Sequence, residues 1–334
     1  MNFPARKNAS PTLKTIASLT GLAVTTVSRA LKDGPDLSLE TKARVREVAE
    51  RIGYRPHRAG VRLKTGRTFV ISFILNQADD MSDYARRLIM GISDGLSGTN
   101  YHLQVFPQGL DQDPIEPVRY IIETAAADGV ILTHTEPQDR RVKLLLEHDF
   151  PFVTFGQTEI ADPYPFFDTD NYDFARRATA ALLARGRKRV ALLLPPPQFH
   201  YADRQRAGYL TAIAEAGSRP HILEGVDLYS PPDMLRDYFI DLAKRGQAPD
   251  GVVCGAEIQA LGIMAGLREA GLILGTHADM AVKKTSNLLD LVDLPFLPFS
   301  EDLKLAGFGL TERLLRRIDG ETDWKKLQHL QPTR

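Results

Sequence analysis

The chain has 334 residues, 43% of them hydrophobic and 25% charged, with 42 basic side chains balancing 42 acidic ones. That length fits a small domain plus a two-lobed body; no apolar run approaches the ~18 residues of a membrane span, so no membrane partner is expected and the chain is expected to be cytoplasmic. A single cysteine excludes an internal disulfide and a cysteine-based metal site, and the eight histidines stand at no metal-ligating spacing, so no metal or cofactor is expected.

The neutral total conceals an asymmetry. Residues 1–68 hold 14 Lys and Arg against 5 Asp and Glu, which leaves 28 against 37 for the remainder. A basic head on an acidic body is the footprint of a polyanion binder, because phosphates supply most non-specific affinity. After a loose basic tail of ten residues, Leu13, Ile16, Ala17 and Thr20 recur at helical intervals behind Thr12, whose hydroxyl suits a helix cap. Gly21 follows, where a left-handed exit residue is needed. Leu22, Val27, Ala30 and Leu31 then mark the buried side of a second helix, which predicts a helix-turn-helix.

The outward side of that second helix carries Val24, Thr25, Ser28 and Arg29. Arginine can bond a guanine edge with two parallel hydrogen bonds, and an apolar group can meet a thymine methyl. Taken alone, the same face would suit an ordinary solvated hairpin; the surrounding charge shifts the balance toward a major groove.

Beyond Gly66 the period changes. Phe69-Val-Ile-Ser-Phe-Ile-Leu is a nearly continuous apolar run of the kind found in a parallel strand covered on both faces. Helical patterns at 82–96, 115–125, 140–147, 175–184, 204–216, 232–244 and 258–270 then alternate with strand-like runs at 101–106, 128–133, 151–155, 189–194, 251–254 and 280–283. Such alternation predicts doubly wound parallel sheets, too many strands for one lobe. Cys254, inside one of these apolar runs, reads as a core thiol.

Thr12-Leu-Lys-Thr-Ile-Ala, Gly21-Leu-Ala-Val-Thr-Thr-Val-Ser-Arg-Ala-Leu, Ser38-x-x-Thr-Lys-x-Arg-Val, Gly53-Tyr-Arg-Pro-His and Leu63 resemble the head of the LacI/GalR-type (lactose-repressor) family of bacterial transcription regulators. Arg185-Gly-Arg-Lys-Arg-Val, Arg204-x-Arg-x-Gly-Tyr and Asp302-Leu-x-x-Ala-Gly resemble its body, which shares its fold with periplasmic sugar-binding proteins. The resemblance implies a small all-α helix-turn-helix head at 1–53, a hinge helix and linker at 54–67, and an α/β two-lobed, periplasmic-binding-protein-like body of doubly wound parallel sheets at 68–334. Its crossovers would lie near Tyr164, Pro295 and Glu321, giving an N-lobe of 68–163 and 296–320 and a C-lobe of 164–295 and 321–334.

The resemblance also implies a homodimer on a pseudo-palindromic double-stranded DNA operator. Thr12, Ser28, Tyr54 and His57 would hold phosphates, which fixes register without reading sequence. Val24, Thr25 and Arg29 would face base edges, with Leu13 and Gly60 also at the DNA, and Leu63 would wedge into the minor groove and kink the duplex. Two positions depart from the family: Ala23 replaces a capping serine, and Gly60 lies in the hinge where alanine is usual.

For the body, the resemblance aligns Arg206 with the family's ligand-binding arginine. Thr133 and His134 at one strand end, Gln157 after another, and Tyr84 as a stacking ring are further candidates, since ligands of open parallel sheets sit at the carboxyl ends of strands. In Val282-Lys-Lys-Thr-Ser-Asn the family's acceptor aspartate gives way to Lys284 and Ser286, and Glu257 follows the preceding strand. This exchange predicts an anionic effector such as a sugar acid or sugar phosphate. The alternative is that Lys283 or Lys284 pairs with Glu257 and the effector is a neutral sugar or polyol. No phosphate loop, nucleophile elbow or His-Glu-x-x-His pair occurs, so an enzyme, such as a doubly wound hydrolase, is not expected. The expected function is sequence-specific transcriptional regulation, as a repressor under effector control; a solute-binding protein of the same body fold is the alternative that the basic head opposes.

Overall fold

The computed structural model describes residues 11–54, 62, 65–76, 83–109, 112–292 and 294–334. The chain divides into two compact units, Met1–Thr68 and Phe69–Arg334.

The first unit contains α1 (Leu13–Thr20), α2 (Val24–Ala30) and α3 (Leu39–Arg51). Thr12 caps α1, accepting from the Thr15 amide while the Thr15 hydroxyl accepts from the Thr12 amide. Gly21 ends α1 at φ 70°, and its N–H bonds the Ala17 carbonyl. Ala23 gives α2 no side-chain cap, whereas Ser38 caps α3 through the Thr41 amide. Ile16, Val27, Ala30 and Val45 are fully buried, so three short helices stand on one small core.

The second unit has two parallel sheets. In chain order the elements are β1 (Val70–Asn76), α4 (Asp83–Leu96), β2 (His102–Gln108), α5 (Ile115–Thr124), β3 (Gly129–Leu132), α6 (Arg140–Glu147), β4 (Phe152–Phe155) and β5 (Phe166–Thr169). Next come α7 (Asn171–Ala184), β6 (Val190–Leu193), α8 (His200–Glu215), β7 (His221–Ile222), α9 (Pro232–Lys244), β8 (Gly251–Cys254), α10 (Glu257–Glu269) and β9 (Asp279–Lys284). β10 (Leu297–Ser300), α11 (Leu303–Ile318), α12 (Trp324–Leu327) and β11 (Gln328–Gln331) complete it. Strand orders are β11-β5-β4-β3-β1-β2 and β10-β9-β8-β6-β7. The central strands β3, β4, β6 and β8 are buried along their whole length, as strands covered by helices on both faces must be.

The chain passes between the sheets after β5, between β10 and α11, and after β11, where Arg334 exchanges both backbone hydrogen bonds with Ser300. These crossings differ from those expected near Tyr164, Pro295 and Glu321. Tyr164 is buried in the first core against Phe152, β10 pairs with β9, and β11 pairs with β5. Residues 166–169 and 328–331 therefore belong with the first sheet, and 297–300 with the second. All three strands are four residues long and partly polar, so they carry no hydrophobic alternation to read. Helices α4 and α11 meet at glycines: a Cβ on Gly91 would lie 2.0 Å from the Lys304 carbonyl, and one on Gly307 2.3 Å from that of Leu88.

Candidate DNA-reading face and effector cavity

On α2 the apolar residues Val27 and Ala30 point into the head core, so the alternating positions must point out. Val24 is 39% exposed, Thr25 and Arg29 are exposed, and Ser28 is partly covered. Arg29 pairs with Asp36 at the surface, which parks its guanidinium outside the module rather than in it. Thr12 is exposed at its cap position. Leu13 and Tyr54 instead lean against the head core, and burial raises the Tyr54 phenol above its usual range. His57, Gly60 and Leu63 lie outside the described residues.

The body encloses a cavity of about 660 Å³ where the carboxyl ends of strands from both sheets converge. From the first sheet come His134, Phe155, Gly156 and Asp168, with Asp83, Tyr84, Arg86 and Arg87 from the start of α4. From the second come Asn171, Tyr201, Gln205, Tyr229, Glu257, Lys283 and Ser286, joined by Glu301 beyond β10.

Its floor is an interlocked polar network. The Lys283 ammonium donates to Asn171 Oδ1 at 2.7 Å, lies 3.8 Å from Glu301 and sits over the Phe174 ring. Gln205 Nε2 donates to the same Asn171 oxygen at 3.1 Å. Asp168 accepts from Gln157 Nε2 and from the Thr169 amide, yet burial, partly offset by these bonds and by Lys283, raises its carboxyl to about 7. Glu257 Oε2 accepts from the amide and hydroxyl of Thr285. Two acceptors remain: among the described residues neither Gln205 Oε1 nor Glu257 Oε1 has a hydrogen-bond partner, although both are buried.

One wall is aromatic. His134 lies within 5.3–6.3 Å, ring centre to ring centre, of Phe199, Tyr84, Tyr229 and Tyr201. Its backbone adopts φ 54°, a costly choice for a residue with a Cβ. The buried Asp139–Arg141 pair explains how that is sustained, because the Arg141 guanidinium donates to the carbonyls of Thr133 and His134 at 3.1 and 2.9 Å. Burial, assisted by Arg141, lowers the His134 imidazole to about 3, so the ring is neutral at physiological pH. Thr135, next in sequence, accepts through its carbonyl from the His200 amide at the start of α8, tying the aromatic wall of one sheet to the other.

The lacI family of bacterial regulatory proteins matches residues 12–57, and the family of periplasmic binding proteins and sugar binding domains of LacI regulators matches residues 68–324. The chain belongs to the LacI family. The regulator AglR of Rhizobium meliloti (strain 1021) is 29% identical over 93% of this chain and 89% of its own length. In three dimensions the Lac repressor dimer bound to operator and the anti-inducer ONPF matches with a TM-score of 0.84 at 19% identity, over 97% of each chain. A complex of the regulator CelR with cellobiose matches with a TM-score of 0.68 at 22% identity, over 97% of this chain and 98% of that one. This LacI-family protein is therefore a DNA-binding transcriptional regulator under small-molecule control, and not an enzyme.

Of the effector residues named from sequence, Tyr84, His134, Glu257 and Ser286 line the cavity of the LacI-family body. Arg206 does not: it is exposed on the outer face of α8, and its neighbour Gln205 faces inward. Lys284 is likewise outside, its ammonium bonded to both Asp290 carboxylate oxygens at 2.6 and 2.7 Å, while Lys283 faces in. Neither lysine pairs with Glu257. Both displacements are one-residue errors of phase, 100° on a helix and a full face on a strand. Thr133 and Gln157 stand behind the lining, Thr133 against the His134 ring and Gln157 under Asp168. Gln205 was recoverable, since Ala202, Gly208, Tyr209 and Ala212 define the buried side of α8. Asp168 and Glu301 had no such signal, because β5 and β10 are too short to show a period. Among the described residues no cluster of His, Cys, Asp and Glu is arranged to hold a metal.

Proposed function

We propose that this regulator is a repressor that docks as a homodimer on a pseudo-palindromic operator and whose effector is a neutral sugar. The reading rests on the cavity floor, where the buried carboxylates of Glu257 and Glu301 outnumber the one buried cation, Lys283, and Asp168, its carboxyl raised to about 7 by burial, adds no positive charge. Lys283 is already occupied by Asn171 and Glu301, so an anionic ligand would meet uncompensated negative charge in a low-dielectric site. Hydroxyl groups suit it instead: they donate to carboxylate and amide oxygens, and Gln205 Oε1 and Glu257 Oε1 are two such acceptors. The apolar face of a sugar ring suits Tyr84, Tyr201 and Tyr229. A related regulator of the same fold is known as a cellobiose complex, which agrees with this chemistry. The anionic effector expected from Lys284 and Arg206 loses its basis, since neither side chain reaches the cavity.

In the head, Val24, Thr25 and Arg29 are assigned to base edges, and Thr12 and Ser28 to phosphates. Closure of the two sheets on the sugar would change DNA affinity, and DNA would change sugar affinity by the same factor. Calorimetric titration of the full chain with neutral sugars, aldonates and sugar phosphates tests the effector class. Neutral sugars are expected to bind, with Gln205→Ala weakening them at least about tenfold, the scale of one lost discriminating contact, and Arg206→Ala having no effect. Binding confined to the anions would overturn the reading. Capture of genomic fragments by the chain, with release by the sugar that binds, tests the repressor assignment.

A further inference from the structure

Asp168 stands where the three passages of the chain between the sheets come together. The first follows β5, the second joins β10 to α11, and the third follows β11. They are cross-tied: the Asp170 amide donates to the Gln331 carbonyl at 2.8 Å, Gln331 Nε2 donates to Thr169 Oγ1 at 3.2 Å, and the Arg177 guanidinium donates to the Thr333 carbonyl at 2.7 Å. At this junction Asp168 belongs to the first sheet, whereas Asn171, Lys283 and Glu301 come from elements of the second. Asp168 is 5% exposed, yet its side chain lines the cavity, so a proton can reach it without unfolding of the body.

The charges here do not balance when every carboxylate is ionised. Lys283 lies 3.8 Å from Glu301, one positive charge against one negative, and an ionised Asp168 adds a second negative charge. Gln157 and the Thr169 amide donate to Asp168 and Lys283 attracts it, while Glu301 repels it. The Tyr164 phenol beside it is raised by its own burial and stays neutral, Asp170 and Asp302 cap α7 and α11, and Glu257 and the neutral His134 line the same cavity. Removal from water outweighs the donors, and the Asp168 carboxyl rises to about 7. That burial depends on the second sheet. Parting the sheets draws Lys283 and Glu301 away from Asp168 and admits water, which returns the carboxyl toward its ordinary 3.8.

We propose that Asp168 is a proton-operated hinge group: uptake of one proton by its carboxyl favours the closed arrangement of the two sheets, and opening releases that proton. The sign follows from linkage, because the state that binds the proton more tightly is favoured wherever the proton is present. The contribution to closure is fully present below pH 3.8 and is lost as pH rises through about 7. It does not depend on which ligand fills the cavity. Since closure is coupled to DNA affinity in the function proposed above, the proton acts as a second effector.

The reporter is the His200 amide, which donates to the Thr135 carbonyl across the cleft at 2.9 Å and loses that bond when the sheets part. Hydrogen exchange of the ligand-free full chain is read by mass spectrometry on peptides containing His200 and corrected for the intrinsic rate. Protection should be about tenfold or more higher at roughly pH 5.5 than at roughly pH 8.5. It should not respond to sub-denaturing urea, since a hinge opening exposes little surface. Asp168→Asn should remove the pH dependence, and Glu301→Gln, which deletes the repelling carboxylate, should move the transition to lower pH. The His200 imidazole, lowered by burial and by Arg204, titrates in its own right, so the comparison with Asp168→Asn decides the cause. If the asparagine protein does not fold, the Glu301→Gln shift carries the test, and an unmoved transition overturns the proposal. So does protection that is constant with pH or keeps its pH dependence in Asp168→Asn. Protection that falls in step with urea-driven global unfolding also overturns it, by reducing Asp168 to a support of the fold.

Discussion

The head and the cavity of this regulator recognise their partners by opposite constructions. In the head, four of the groups assigned to DNA, Val24, Thr25, Ser28 and Arg29, sit within two turns of each other on α2, and their outward direction follows from the inward direction of Val27 and Ala30. In the body, Asp168, Gln205, Glu257 and Lys283 come from four different elements, and each is aimed by the packing of a sheet rather than by its neighbours in sequence. A surface reader can be built locally because DNA brings its own regular shape. A cavity for a small flexible ligand must enclose it, so distant parts of the chain have to converge.

The largest expected effect comes from breaking the support of the cavity wall. Asp139→Ala strands the buried Arg141 and should cost about 3–5 kcal/mol of body stability by urea unfolding, the usual penalty for halving a buried ion pair. The head should keep its operator affinity per folded molecule; an equal loss there would mean the two recognition devices are not separately built. Next, Arg29→Ala should cost ~1–3 kcal/mol of operator binding and relax sequence preference, read by competition against scrambled duplex. Equal weakening on operator and scrambled DNA would reduce Arg29 to a phosphate contact and blur the contrast.

A third effect is pH dependence confined to the body. The Asp168 carboxyl is raised by burial from 3.8 to about 7, so between roughly pH 4 and 7 the folded state holds a proton that the unfolded state has released. Stability from this group is therefore fully present below pH 4 and is lost as pH rises toward 7, with a slope of at most about 1.4 kcal/mol per pH unit. Asp168→Asn should flatten that part of the profile in thermal melts from pH 4 to 8. An unchanged profile would mean Asp168 is ionised throughout. The smallest effect belongs to the head: Ala23→Ser supplies the absent cap of α2 and should stabilise it by about 1 kcal/mol, seen as a higher melting temperature for the head transition.

Most secondary structure was legible because it has a period. The helices at Arg140–Glu147 and Pro232–Lys244 and the strand at Gly251–Cys254 fall where apolar spacing puts them. The strands that complete each sheet's edge, β10 and β11, and the one that leads out of the first sheet, β5, do not, since four residues of mixed polarity fit a loop equally well. Those strands decide where the chain changes sheet and hence which side chains meet in the cavity. The same limit governs Lys283 and Lys284: two adjacent lysines are indistinguishable until a strand assigns one to the interior.

Sequence alone determined the basic head with its helix-turn-helix, the alternating body, and the family to which both belong, because caps, periodicity and charge act over a few residues at a time. Only the tertiary structure decided that Gln205 rather than Arg206 and Lys283 rather than Lys284 face the cavity, that Asp168 and Glu301 join them, and that Lys284 bonds Asp290 instead. The reason is geometric: a side chain's direction turns through 100° per residue on a helix and 180° on a strand, so the identity of an inward group depends on a phase that packing sets and composition does not record.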